Sequence, residues 1–125
     1  MGHSLFRHSS CRHTSLAYNG SMYTVAETEV FVRYAKEIWS DEERSEFILW
    51  IAANPLAGDV IPGSGGCRKV RWSRADMGKR GGERVIYFYQ AGSMVWLLIA
   101  YTKTKFDNLP AEFLAKLKQE VERGQ

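Results

Sequence analysis

Histidine is missing from residues 22–125; the three in the chain, His3, His8 and His13, lie near its start. The main body therefore holds no Ser-His-Asp or Cys-His triad and no imidazole acid–base pair. Cysteine is nearly as scarce. Cys11 and Cys67 stand far apart and outside any metal-ligand spacing. That argues against a disulfide framework and for a reducing cytoplasm, with one incidental bridge left open. Long apolar runs are absent too: the longest, Met94 to Tyr101, has eight residues, far short of the roughly 20 that span a bilayer. Carboxylates are scarce in one region only. Residues 60–106 hold nine Lys/Arg against two Asp/Glu (Asp76 and Glu83), a net of +7, whereas residues 22–59 hold three against eight, a net of −5. Two-metal hydrolysis needs several convergent carboxylates, so no metal and no cofactor are expected. The one-sided charge points to a surface that meets a polyanion.

What is present reads as one domain with one core, since 125 residues are too few for two ordinary domains. Residues 1–21 are rich in Ser and His, have no apolar period and no acidic residue, and are expected to be a disordered leader or an over-long start. Order is expected from Met22. Tyr23 to Thr28 reads as a short strand, and Val30, Phe31, Tyr34, Ala35, Ile38 and Trp39 recur at helical spacing. Ser40 and Glu43 match a capping box that opens a second helix, with Phe47, Ile48, Ile51 and Ala52 as its buried stripe and Asn54-Pro55 as its stop. Cys67 to Ser73 alternates as a strand, Val70 and Trp72 on one face, Lys69 and Arg71 on the other. Glu83 to Gln90 and Met94 to Tyr101 follow as strands, the latter apolar enough to be central and covered on both faces. Pro110 opens a last helix with Phe113, Leu114, Leu117 and Val121 on one side. The order β-α-α-β-β-β-α implies an α+β domain: a small, mainly antiparallel sheet with two N-terminal helices and a C-terminal helix.

The glycines around the basic segment tempt a phosphate-loop reading, which fails on spacing. "GKR" at Gly78 lacks both the upstream glycine and the hydroxyl of a Walker loop, and "GSGGCR" puts Arg68 where a dinucleotide fingerprint needs its third glycine. These glycines suit turns and close backbone approach. The remaining tools for chemistry on a polyanion are Lys, Arg and Tyr. Arg forks match phosphate oxygens and stabilise charge building on phosphorus, and a Lys crowded by other cations is pushed toward its neutral form. RNA can be cut with these alone, because its own 2′-OH is the nucleophile. Lys69 and Arg71 share a strand face, a hairpin partner brings Arg84 alongside, and Lys103 and Lys105 leave the end of the central strand. Any one of these reads as a solvated side chain; convergence from three strands shifts the balance.

The runs "AGDVIPGSGGCRKVRW", "GKRGGERVIYFY" and "LLIAYTKTKFDNL" resemble the RelE/ParE superfamily of type II toxins, in its HigB-like branch, over about Met22 to Arg123. The resemblance implies a RelE-like fold for residues 22–125. It also implies a ribosome-dependent mRNA interferase in the bacterial cytoplasm that cleaves message in the A site by metal-free 2′-OH attack. Carried over residue by residue, the catalytic positions are Lys69, Arg71, Arg84 and Lys103. Tyr101 is the nearest aromatic acid–base candidate, because Thr104 and Pro110 stand where family members often have an Arg and an aromatic residue. Arg68, Arg74, Lys79, Arg80 and Lys105 would hold RNA. The implied partners are the ribosome with its mRNA and a helix-turn-helix antitoxin, with operator DNA met only through the antitoxin complex. Two other readings stay open: a ParE-like inhibitor of DNA gyrase, which needs no clustered cations on the sheet, and a non-catalytic RNA-binding module.

Overall fold

A computed structural model describes residues 12–18, 21–72, 82–90, 94–106 and 108–124, with side chains from residue 23 onward. Its first strands are β1 (Arg12–Tyr18) and β2 (Ser21–Glu27), followed by helices α1 (Glu29–Ile38) and α2 (Asp41–Ala53). Strands β3 (Asp59–Val60), β4 (Arg68–Trp72), β5 (Glu83–Gln90) and β6 (Met94–Thr102) come next, and helix α3 (Ala111–Gly124) closes the chain. The α+β class and the three expected helices hold. Two strands are additional, β1 and β3.

The helix starts follow from local chemistry. Thr28 caps α1: its hydroxyl accepts from Phe31 N–H at 3.1 Å and donates to the Leu97 carbonyl at 2.8 Å, tying the helix start to β6. Ser40 and Glu43 form the reciprocal capping box of α2, with Glu43 N–H to Ser40 Oγ at 3.1 Å and Ser40 N–H to Glu43 Oε1 at 2.8 Å. Each satisfies backbone donors that the first helical turn leaves without partners. Phe47, Ile48, Ile51 and Ala52 are all buried, as their spacing predicts, and Asn54 caps the C-terminus.

The six strands form one sheet in the order β1-β2-β6-β5-β4-β3, in which only the β2–β6 pair is parallel. β6 is buried continuously from Val95 to Tyr101, the signature of a strand covered on both faces. On one face Val25, Val70, Val85, Tyr87, Val95, Leu97 and Ala100 meet Phe31 and Ala35 of α1, Trp39 at its C-cap, and Phe47, Ile48 and Ile51 of α2. On the other, Ile86, Phe88, Trp96, Leu98 and Ile99 meet Leu114, Leu117 and Val121 of α3.

The disordered leader expected to run to residue 21 needs correction for part of its length. Residues 12–18 pair with β2 in an unbroken antiparallel register from Arg12↔Glu27 to Tyr18↔Ser21. The sequence between those last partners is Asn-Gly, the strongest two-residue hairpin signal, and it outweighs the polar composition of the leader. Residues 1–11 lie outside the described residues, as do the basic connection at 73–81 and the expected turn at 91–93. β3 escaped notice because two residues carry no periodicity.

The glycines act as turn and packing residues. Gly63, Gly65 and Gly66 have φ of 79°, 80° and 106°, the left-handed region that disfavours side chains, and Ser64 Oγ binds the turn together through Cys67 N–H at 3.0 Å and the Ile61 carbonyl at 2.6 Å. At Gly58 a Cβ would stand 2.9 Å from the Lys69 carbonyl oxygen, so only glycine lets this loop lie against β4.

Candidate functional site

β4, β5 and β6 lie side by side, and their register sets which side chains share a row. Arg71 is directly opposite Arg84, and Arg84 directly opposite Tyr101. One row of the sheet therefore reads Arg71–Arg84–Tyr101. The next row, toward α3, reads Lys69–Ile86–Ile99. Directly opposite side chains stand roughly 4.5–5.5 Å apart at Cβ, so Lys69, Arg71, Arg84 and Tyr101 form one patch drawn from three strands. Two like charges placed directly across a ladder cost stability. The Arg71–Arg84 juxtaposition gathers two guanidinium groups in one row of the sheet.

Tyr101 reaches this row through a bulge. Ile86 pairs with Ile99 but Tyr87 pairs with Leu97, so Leu98 is an extra residue on β6. Strict alternation from Val95 and Leu97, which face α1 and α2, would put Ile99 and Tyr101 on that same face. The extra residue reverses the parity: Ile99 and Tyr101 join the α3 face, and Ala100 takes the place facing the helix pair. A bulge beside a site commonly re-aims a side chain in this way.

Tyr101 is only 2% exposed and packs edge-on against Phe106 at 5.7 Å. Burial raises the pKa of its phenol above the usual 10, and nearby Arg84 pulls it partly back. Lys69 and Arg84 are half-buried, and Arg71 is exposed. Arg84 Nη1 also lies 3.5 Å from the Gly82 carbonyl oxygen. Lys103 is exposed in the turn just past Thr102, the last residue of β6.

Other candidates sit elsewhere. Arg68 is on the opposite face of β4, across from Tyr87, where its Nη1 donates to the carbonyls of Gly58 at 2.7 Å and Leu56 at 3.4 Å. The Tyr87 hydroxyl completes that latch, accepting from Gly58 N–H and donating to the Pro55 carbonyl, each at 2.9 Å. Lys105 reaches Glu37 of α1 at 3.2 Å. Arg74, Lys79 and Arg80 lie outside the described residues. Cys67 is buried, its thiol pushed up by burial and turned toward the Leu114 carbonyl at 3.7 Å, a packing role and not that of a nucleophile.

Three polar features escape a reading by charge alone. Glu83, one of the two carboxylates in the basic segment, is buried on the helix-pair face and accepts from Trp39 Nε1 at 3.2 Å. Glu27 is buried beside Arg44, with Nε 3.1 Å from Oε1, an ion pair whose angle falls short of a hydrogen bond. Strand parity from Val85 would have turned Glu83 inward; no local signal marks Glu27. The third is a cavity of about 440 Å³ between the C-terminal half of α1 and the end of β6, with Tyr101 in its wall. Among the described residues no group of three or more His, Cys, Asp or Glu could hold a metal ion, and no helix is long and apolar enough to cross a membrane.

No protein-family model matches the chain. Among solved structures it is similar to the Escherichia coli toxin RelE, in the free state of a mutant with two arginines changed to alanine. The two are 13% identical with a TM-score of 0.49, over 86% of this chain and 97% of that one.

Proposed function

We propose that this chain is the toxin of a type II toxin–antitoxin pair and cuts mRNA on the translating ribosome, without metal, by attack of the RNA 2′-OH on the adjacent phosphorus. The observation that supports it is the Arg71–Arg84–Tyr101 row with Lys69 beside it, on a chain whose basic runs resemble those of HigB-like toxins.

The reaction needs three things, and the patch offers a group for each. A proton must leave the 2′-OH, charge must be stabilised as it gathers on the phosphorus oxygens, and a proton must reach the departing 5′-oxygen. Arg84, central in the row, is placed to brace the phosphate with Arg71 beside it; forked donors of this kind are worth most where water is excluded. Lys69, half-buried next to two guanidinium groups, is the group for the 2′-OH. Tyr101, protonated at neutral pH as any phenol is, is the group for the 5′-oxygen; burial weakens it as an acid, and nearby Arg84 offsets part of that shift. Lys103, with Arg74, Lys79 and Arg80, would hold backbone further along the strand. The expected regulator is a small helix-turn-helix antitoxin that covers this face and meets operator DNA in complex with the toxin.

Primer extension on a translated message, after induction of the wild-type chain and of Lys69→Ala and Arg84→Ala, tests the reading. Cuts inside codons that require translation and vanish with either substitution are expected. Growth arrest with intact transcripts would sink it and point to a gyrase target; salt-sensitive RNA binding with no cut would leave a binding module.

A further inference from the structure

The cavity beside Tyr101 has a chemistry of its own. Its volume of about 440 Å³ falls in the range of roughly 300–1,000 Å³ typical of small-molecule sites. The aromatic face it offers is that of half-buried Tyr34; Tyr101 lies in the wall at 2% exposure, and Phe106 braces both at ring distances of 6.0 and 5.7 Å. Its polar rim is the Glu37–Lys105 pair, 3.2 Å apart with each side chain about half exposed (52% and 49%), together with Thr104. Lys105 Nζ also lies 5.7 Å from the centre of the Tyr34 ring. A carboxylate and an ammonium side by side, next to an aromatic ring, present two acceptor lobes adjacent to a donor.

We infer that this cavity is a base-recognition subsite that selects guanine. Guanine's Watson–Crick edge carries two adjacent donors, N1–H and the N2 amino group, beside the O6 acceptor. The Glu37 carboxylate accepts from the first two and Lys105 donates to the third, while the ring plane lies against Tyr34. Adenine and cytosine each present an acceptor where guanine presents N1–H, and uracil offers one donor between two acceptors, so each leaves part of the rim mismatched. Reading unstacked bases by aromatic stacking and Watson–Crick edge contacts is how proteins discriminate single-stranded RNA. The pair itself is a surface ion pair of small intrinsic worth, so opening it around a base costs little. The inference rests on the proposed RNA-cleaving function: with Tyr101 shared between row and cavity, a base held here would lie next to the phosphate at Arg84.

The test is amide chemical-shift titration of the full chain with guanosine, inosine, adenosine, cytidine and uridine, each also as the 5′-monophosphate, with inorganic phosphate alongside. Guanosine should shift residues 34–38 and 100–105 and bind at least tenfold tighter than adenosine, cytidine or uridine. Inosine, which lacks the N2 amino group, should fall between. Glu37→Gln should weaken guanosine about tenfold, as expected for a broken two-point contact, and Lys105→Ala should do so less. Equal binding of all five nucleosides, or shifts confined to residues 69–71 and 84, would overturn the subsite. Comparing guanosine with a guanine-centred trinucleotide separates free nucleoside from RNA as the source, tighter trinucleotide binding being the expected result and the reverse counting against it. Guanosine-selective binding with uncut transcripts would remove the proposed nuclease and spare the cavity. Cut transcripts without base selectivity would do the opposite.

Discussion

The two faces of this sheet place their charged groups differently. On the face covered by α1 and α2, each charged group that is turned inward meets a defined partner: Glu83 the Trp39 indole, Glu27 the Arg44 guanidinium, Arg68 the Gly58 carbonyl. On the other face α3 covers the apolar rows, and the row beyond them sets Arg71 directly against Arg84. Desolvated charges must be paired to be tolerated, which explains the first face. Cations gathered in one row at the margin of an apolar face are placed to meet a polyanion. Residues of one strand, Arg68 and Arg71, thus differ in role because they differ in parity.

The comparison can be broken from either side. Phe47→Ala, at the centre of the helix-pair core and fully buried, should cost about 3–5 kcal/mol, read as a lowered urea midpoint. The next largest effect should be Arg84→Ala, which should slow mRNA cleavage about 100-fold or more, the scale for removing a donor aimed at developing charge, while folding stability from urea unfolding falls by no more than about 1 kcal/mol. A large loss of stability there would make Arg84 a structural residue and erase the contrast. Arg68→Ala should show the converse, about 1.5 kcal/mol of lost stability from its charged hydrogen bonds with cleavage per folded molecule retained. Ser40→Ala should cost about 1 kcal/mol through the lost cap, with cleavage per folded molecule retained.

The smallest effect concerns alkaline pH. Tyr87 on one face and Tyr101 on the other both have pKa values raised above 10, chiefly by burial. Above pH 10 the unfolded chain releases these protons while the folded chain retains them, so folded stability falls as pH rises through the folded values. The urea midpoint should therefore drop between pH 9 and pH 11, and Tyr101→Phe should reduce the drop. An unchanged pH slope in that variant would show that the buried phenol does not contribute.

Much of the frame was legible in the residues because its causes are local. The capping box of Ser40 and Glu43, the stripe from Phe47 to Ala52, the stop at Asn54-Pro55 and the alternation of Val70 and Trp72 against Lys69 and Arg71 all depend on neighbours within a few positions. Two strands were not read. β3 is too short to carry a period, and β1 was masked by polar composition although Asn19-Gly20 marked the hairpin. The family resemblance places Arg68 among the RNA-holding residues, whereas alternation from Lys69 and Arg71 sends it to the other face of β4.

By itself, the sequence determined the α+β class, the helix boundaries, the cationic character of the second half and the shortage of His and carboxylates that restricts its chemistry to Lys, Arg and Tyr. Those properties are sums over local preferences and composition. Only the tertiary structure decided which cations share a row, that Lys105 meets Glu37 of α1 across 68 positions of chain, and that Tyr101 stands beside Arg84. That last placement depends on one extra residue at Leu98, and a bulge is a property of two strands in register: no window along β6 alone contains the information that reverses its parity.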